Sequence, residues 1–519
     1  MRTLSLILLF LGVVYNSVIG QIPEEHLSIW LKSTDEIFSD AAFCSTPSVG
    51  DGDATYCWQD QSINQLTFRR VGSGTPTYRL HDQDTLNGFP GIYLDGTKGL
   101  ATDPSDSLDF TSLTAFVVAS NDAVGFDGVT LDISINPSSG RNSFFLASTR
   151  MMHQCCSGLG QGFYTLDHHL DWSSTPYLIT TGVFGVDERD LNLYVNGLQS
   201  SAGQGGQCCP VNYISQTRSA YIGQRANENH VRTGEIIEVI AYGGVKLGDA
   251  HRIVVENYLS SKYDLPIVPE GDFYHYDTDD KGHYDFMVTG IGAKNQDTVY
   301  SSESSELIIS ASNEALNDGE FLFIGQLELN DTNRVVTNDL PAGVGERFSR
   351  VWALEKTGNV DAGLIFDYTL GELEGAPSDD GQYSLLYSAT QAPYNFSILS
   401  TDATVQGSQV QFDLTNEEIQ DGYYTLGAET SIVVGSTDLP TLSTTDIFIA
   451  PNPAAGSFIL RSPKASIEFI ALFDLSGRHL DATISMGPNE AQVYSSYRGL
   501  TVVKVHTDQG VIVKKVMLE

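Results

Sequence analysis

The chain has 519 residues and a formal net charge of -37, with 28 Lys and Arg against 65 Asp and Glu. Nucleic acid is excluded as a partner, because such binding draws on basic patches that release counterions and none is visible. About 500 residues is too many for one hydrophobic core, so two to four domains are expected.

The N-terminus carries Arg2, an apolar run from Leu4 to Val14, and Val18-Ile19-Gly20 ending on a small residue. This is the pattern of a secretory signal over residues 1–20, with Gln21 as the new N-terminus. The run is shorter than the roughly 20 residues a membrane span needs. No later stretch is long and apolar enough, so no transmembrane segment is expected in the mature chain.

Glycine is frequent, at 49 residues, and aromatics reach 10%. Short apolar runs recur between Gly, Asn, Asp and Ser clusters, as in an all-β chain with many turns. In residues 22–265, Leu27 to Leu31 reads as an opening strand, Trp58 to Ser62 as a turn, and Gly88 to Gly96 as a strand entering a turn. Leu191 to Val195 leads into Asn196-Gly197, a hairpin signal. Tyr221-Ile222-Gly223 and Gly234 to Tyr242 continue the sheet pattern. After them Asp249 caps a helix in which Ile253, Val254, Asn257, Tyr258 and Ser261 repeat at three and four.

Six cysteines fall in three close sets, and an even count in an exported chain points to disulfides. Cys44 and Cys57 close a short loop. Adjacent Cys155 and Cys156 are expected to pair with Cys208 and Cys209, since bonds between neighbouring residues are strained. Zinc is the competitor because His153 precedes Cys155, but adjacent cysteines fit a tetrahedral ion poorly.

Trp58-Gln59-Asp60-Gln61-Ser62, Asn87-Gly88-Phe89-Pro90, Tyr194-Val195-Asn196-Gly197, the strand Gly234 to Glu238, and the helix bearing Arg252, Glu256, Tyr258, Lys262 and Tyr263 occur in that order. Together they resemble the laminin-G-like, concanavalin A-like jelly rolls of secreted bacterial proteins. The resemblance implies a two-sheet β-sandwich that binds glycans or proteins and, in some relatives, cuts glycans.

A catalytic jelly roll of the glucanase kind needs carboxylates two residues apart on one strand face. Here Glu235 and Glu238 are three apart, so a regular strand directs them to opposite faces, and only a bulge could turn Glu238. Glu238 reads as a structural acid. No Gly-x-Ser-x-Gly elbow is present, and His168-His169 with Asp171 lacks a neighbouring nucleophile motif. No catalytic residue is therefore assigned.

Residues 266–430 follow a Pro266, Pro269 and Gly271 boundary, and hold 30 acidic residues among positions 266–445 against 6 basic ones. Strands are expected at 285–291, 306–310, 321–325, 350–357, 363–368 and 423–428. Gly290-Ile291-Gly292, Phe323-Ile324-Gly325, Leu340-Pro341 and Arg350-Val351-Trp352 resemble an uncharacterised β domain of Bacteroidetes surface proteins, which implies architecture and no activity. Asp277, Asp279, Gly282 and Asp285 match four places of a calcium loop, yet Lys281 and Val288 stand at its fifth and twelfth. Asp51 and Asp53, beside Gly50 and Gly52, are a similar acidic turn. Calcium is the one cofactor these turns leave open.

A Ser- and Thr-rich linker over 431–445 precedes the tail. Pro451-Asn452-Pro453, the strand from Phe469 into Asp474-Leu475-Ser476-Gly477-Arg478, and the closing Val511 to Val516 with Lys514 and Lys515 resemble the C-terminal sorting domain of the type IX secretion system. Leu500-Thr501-Val502 departs from the glycine-rich pattern usual there. This implies passage through the outer membrane by that machinery. The expectation overall is an all-β, three-domain protein that recognises glycan or protein outside the cell, with a glycan hydrolase or a purely structural component as alternatives.

Overall fold

Period-two alternation between turn residues builds antiparallel strands, and two such sheets bury their inner faces against each other. The computed structural model describes residues 22–97, 99–108, 110–121, 128–136, 141–157, 160–167, 174–185, 191–200, 203–205, 217–226, 230–312, 316–327, 335–368, 377, 382–429, 448–450, 454, 456–462, 466–473, 480, 482–487, 489–495, 497–507 and 510–518. They form two compact units, one reaching Glu429 and the other starting at Phe448. The signal segment, Cys208 and Cys209, His168-His169 with Asp171, the Ser436–Thr445 linker, Pro451-Asn452-Pro453 and Asp474 to Arg478 lie outside the described residues. So do the side chains of His153, Cys155 and Cys156.

The first unit contains two sandwiches. In the first, an eight-stranded sheet runs Leu198–Gln199, Leu191–Val195, Tyr177–Phe184, Leu113–Ser120, Thr233–Gly243, Gly91–Asp95 and Thr77–Arg79, with Leu27–Lys32 also paired to Thr233–Gly243. A ten-stranded sheet, which includes Cys57–Gln59, Thr67–Arg70, Val129–Asn136 and Arg141–Ala147, faces it. Ile29, Val117, Val239 and Ala241 from one sheet and Trp58, Phe68, Ile133 and Phe144 from the other make the shared core. Asn196 and Gly197 adopt φ of 49° and 76°, the left-handed pair an Asn-Gly hairpin turn requires. The expected turn at 58–62 begins later, because Cys57–Gln59 is a strand.

The outer face of the eight-stranded sheet is covered by α1, Asp249–Tyr263. Its N-cap is Gly248, one place before the expected Asp249, which lies in the first turn. α1 is buried on two sides. Val255, Tyr258, Leu259 and Tyr263 pack on Phe116, Ile237 and Ile240, while Ala250, Ile253 and Val254 pack on Val288, Phe321 and Phe323 of the second sandwich.

That second sandwich pairs a nine-stranded sheet with a five-stranded one. Strands at Phe286–Lys294, Leu307–Ala311, Phe321–Gln326, Trp352–Thr357, Ala362–Asp367 and Gly422–Ala428 fall where alternation placed them. Trp352 and Phe348 of the larger sheet meet Phe366 of the smaller edge to face. The second unit is a small sandwich of a four-stranded and a three-stranded sheet, closed over Phe458, Leu460, Val493, Ile470, Leu472, Val503 and Val505. Among the described residues no helix is long and apolar enough to cross a membrane.

Candidate functional site: a polar pocket beside Glu235

The strand Thr233–Gly243 pairs with Leu113–Ser120 through a register shift, Ile236 opposite Ala119 but Glu238 opposite Val118. One extra residue, Ile237, is inserted, and a bulge of this kind re-aims the side chains that follow it. Ile237 packs with Ile240 on the outer face, while Ile236 and Val239 enter the core between the sheets. Glu235 and Glu238 therefore share the outer face, which corrects the opposite-face expectation for a regular strand.

Sharing a face does not give the two acids one role. Glu238 is fully buried and accepts hydrogen bonds from Trp30 Nε1 at 2.6 Å, Tyr258 OH at 2.9 Å, Lys262 Nζ at 2.7 Å and Tyr263 OH. Burial alone raises a carboxyl, but the Lys262 charge and these donors hold Glu238 below its ordinary range. Beside it, Arg252 bonds Glu256, which also accepts from Thr181 Oγ1 at 2.8 Å, and the guanidinium lies 4.0 Å from the Tyr194 ring centroid. These groups anchor α1 to the sheet.

The other distinctive residues of the first sandwich are also structural. Buried Asp60 accepts from Trp30 N–H at 2.7 Å, Ser62 N–H at 2.9 Å, Ser62 Oγ at 2.6 Å and Leu66 N–H at 3.2 Å. Asn87, at φ 51°, donates through Nδ2 to the carbonyls of Ser261 and Lys262 and to Asp285, tying down the end of α1. Asn196 Oδ1 accepts from Ile179 N–H at 2.9 Å.

Glu235 opens elsewhere, onto a pocket of about 470 Å³ lined by Asp51, Gly52, Thr77, Arg79, Leu80, His81 and Glu235. Its carboxylate is 3.3 Å from Arg79 Nη1 and 2.8 Å from His81 Nε2, and accepts from Tyr177 OH at 3.1 Å. Arg79 keeps 44% of its side chain exposed, and its guanidinium lies over Tyr93, 3.7 Å from the ring centroid. His81 meets Tyr177 edge to face at 5.8 Å. Gly91 lies beside this cluster, where a Cβ would come within 2.7 Å of Ile237 Cδ1 and 2.9 Å of Glu235 Oε2.

The Asp51 side of the pocket belongs to a stiffened loop. Cys44 and Cys57 are bonded, with Cα atoms 5.7 Å apart, as their spacing predicted. Asp40 accepts the N–H groups of Phe43, Ser45 and Thr46, which hold its carboxyl well below the usual range. Asp53 accepts from Val49 and Gly50, Gly52 at φ +84° donates to Tyr78 O, and Asp51 Oδ1 accepts Leu80 N–H at 3.2 Å. These bonds occupy both acids of the turn with backbone rather than with each other.

The calcium-like run is dispersed in the same way. Asp279 pairs with His283 at 2.6 Å, and Asp285 accepts from Asn87 at 3.1 Å. Among the described residues no group of three or more His, Cys, Asp or Glu side chains is arranged to hold a metal ion. Asp277 and Asp285 are each pushed up to about 6, chiefly by burial.

Sequence reasoning assigned no site here and missed Arg79, His81 and Thr77. The available signal was the Thr77-Tyr78-Arg79 alternation, which puts Thr77 and Arg79 on one side while Tyr78 enters the core; His81 lies past the strand end.

No family model matches the chain, and no curated protein matches it. Solved structures that share features include domain 4 of AbnA, an extracellular GH43 arabinanase from Geobacillus stearothermophilus in complex with arabinotriose, at 13% identity over 47% of this chain and 99% of that one, with a TM-score of 0.26. The CBM40 of the Ruminococcus gnavus IT-sialidase bound to α2,3 sialyllactose aligns at 12% identity over 31% and 91%, TM-score 0.24. The binding domain of botulinum neurotoxin serotype D aligns at 12% identity over 95% and 97%, TM-score 0.27. Scores this low carry no argument about what the present chain binds. The class its own strands define is an all-β protein built from β-sandwiches.

Proposed function

We propose that this chain is an exported binding protein, displayed on the cell surface or secreted, that recognises glycan or protein through the pocket beside Glu235. The observation that carries the reading is the pocket itself: a concave site on a rigid sandwich, lined by Arg79, His81, Glu235 and Asp51, whose side chains are held in place before any ligand arrives. The resemblance of residues 22–265 to laminin-G-like jelly rolls supports recognition. That of residues 446–519 to type IX sorting domains supports delivery through the outer membrane by that machinery.

Binding is favoured over hydrolysis by the state of the two acids. Glycoside cleavage requires two carboxyl groups that both reach the scissile bond. Glu238 is fully buried and already accepts from four donors, so it offers Glu235 no partner, and Asp51, the other carboxylate lining the pocket, is engaged by the Leu80 N–H at 3.2 Å. The test is to present the full chain to immobilised glycans and surface-protein extracts while assaying the same glycans for cleavage. Retention without cleavage is expected, and retention of nothing would leave only a structural role.

A further inference from the structure

Resting on that reading, we propose that the pocket takes an uncharged, polyhydroxylated sugar rather than an acidic glycan or a cationic peptide. The argument is one of charge and hydrogen-bonding capacity. Among the described residues lining the pocket, Arg79 is the one Lys or Arg, and its charge is already matched by Glu235 at 3.3 Å. A ligand carboxylate or sulfate would have to compete with Glu235 for Arg79 and would face Asp51 as well. Repulsion from Asp51 then works against an anion, modestly because Asp51 and Arg79 both stay in contact with water.

A cationic ligand fares little better. Glu235 spends its charge on Arg79 and also accepts from His81 and Tyr177, while Asp51 accepts the Leu80 N–H, so a cation would meet one exposed carboxylate and no charged cluster. A cation entering there would have to displace Arg79, whose guanidinium is seated on Tyr93.

What remains is capacity for neutral groups. A guanidinium has five N–H donors and a carboxylate about four acceptor sites, so Arg79, Glu235 and Asp51 each keep positions beyond the bonds they make, and the Thr77 hydroxyl can both give and accept. Sugar hydroxyls also both give and accept, and adjacent ones match a fixed row of donors and acceptors. Leu80, 51% exposed, offers an apolar edge beside them, suited to the C–H face of a pyranose. The volume of about 470 Å³ suits one or two sugar residues.

The test uses the full chain against neutral, acidic and amino-sugar oligosaccharides and against Lys-rich peptides, with dissociation constants measured by calorimetry. Leu80→Ala and Asp51→Asn are the variants, since both positions are at the surface and the amide oxygen introduced by Asp51→Asn could still accept the Leu80 N–H. Binding of a neutral oligosaccharide, weakened about tenfold or more in both variants with unchanged melting temperature, is expected, since lost contacts of this kind are worth that factor. Pocket-dependent binding of an acidic glycan or a basic peptide would overturn the ligand class while leaving the binding function standing. Binding unaffected by both variants would overturn the pocket as its site, and binding absent for every probe would overturn ligand class and binding function together.

Discussion

At the scale of single residues, the first sandwich separates its charged groups into those that hold it together and those that line the pocket. Glu238 and Lys262 belong to the first kind. Removing one partner of a buried pair strands the other, at a cost of about 3–5 kcal/mol. Glu238→Gln should therefore lower stability by roughly that amount, as read from a denaturant midpoint. A loss comparable to a surface substitution would contradict the structural role. Asp285 gives a prediction of opposite sign. Burial, with a smaller push from Asp277 and Asp264, raises it from an ordinary 3.8 to about 6. The folded chain then holds a proton that the unfolded chain has released, so this contribution is fully present below about pH 3.8 and is lost as pH rises through about 6. Asp285→Asn, which can still pair with Asn87, should raise stability at pH 8 by about 1–3 kcal/mol and leave it unchanged near pH 4. Equal effects at both pH values would refute it.

At the scale of elements, the strand pattern was legible and the site was not. Alternation and the Asn-Gly turn placed Leu191–Val195 and its hairpin, and alternation in the second sandwich placed six strands, because burial of one face leaves a local signature. The bulge at Ile237 left none: Gly-Glu-Ile-Ile-Glu-Val-Ile reads equally well as a regular strand, and only the pairing with Ala119 and Val118 shows the extra residue. The pocket was hidden for another reason. It joins positions 51, 77–81 and 235, and nothing local in a sequence connects them. Gly91 offers a test of the bulge. Gly91→Ala places a methyl against Ile237 and Glu235, and overpacking of this kind costs about 1–3 kcal/mol. It should also weaken any ligand held by Glu235; wild-type stability and binding together would contradict the packing described.

α1 makes a stronger point about where this part of the chain can be cut. A fragment ending at residue 265 keeps the helix but exposes Ala250, Ile253 and Val254, and loses the Asn257 bonds to Gly271 O at 2.7 Å and Phe273 N–H at 2.9 Å. Uncovering side chains such as Ile253 and Val254 costs about 1.5–3 kcal/mol each. The segment 22–265 should therefore be markedly less stable than 22–429, and an equal melting temperature would show that the shared helix needs only one sandwich.

At the scale of the whole molecule, the acidic surplus and the fold divide at the same place. Residues 446–519 hold 7 basic and 7 acidic residues, so all the excess negative charge precedes them. The second unit closes a hydrophobic core of its own. Deleting 446–519 should leave the first unit folded, with an unchanged melting temperature, yet stranded in the periplasm of a host that has type IX secretion. Normal surface delivery of the truncated chain would contradict the sorting role.

The central claim is recognition without cleavage at the pocket beside Glu235, and one paired measurement addresses it. The full chain and a folded Glu235→Gln variant are incubated with a polysaccharide panel, and bound protein and newly released reducing ends are measured in the same samples. The account predicts that the wild type is retained on some member of the panel with no reducing ends above the protein-free control, and that Glu235→Gln weakens retention. Release of reducing ends by the wild type, abolished in Glu235→Gln, would contradict it and make the protein a glycan hydrolase.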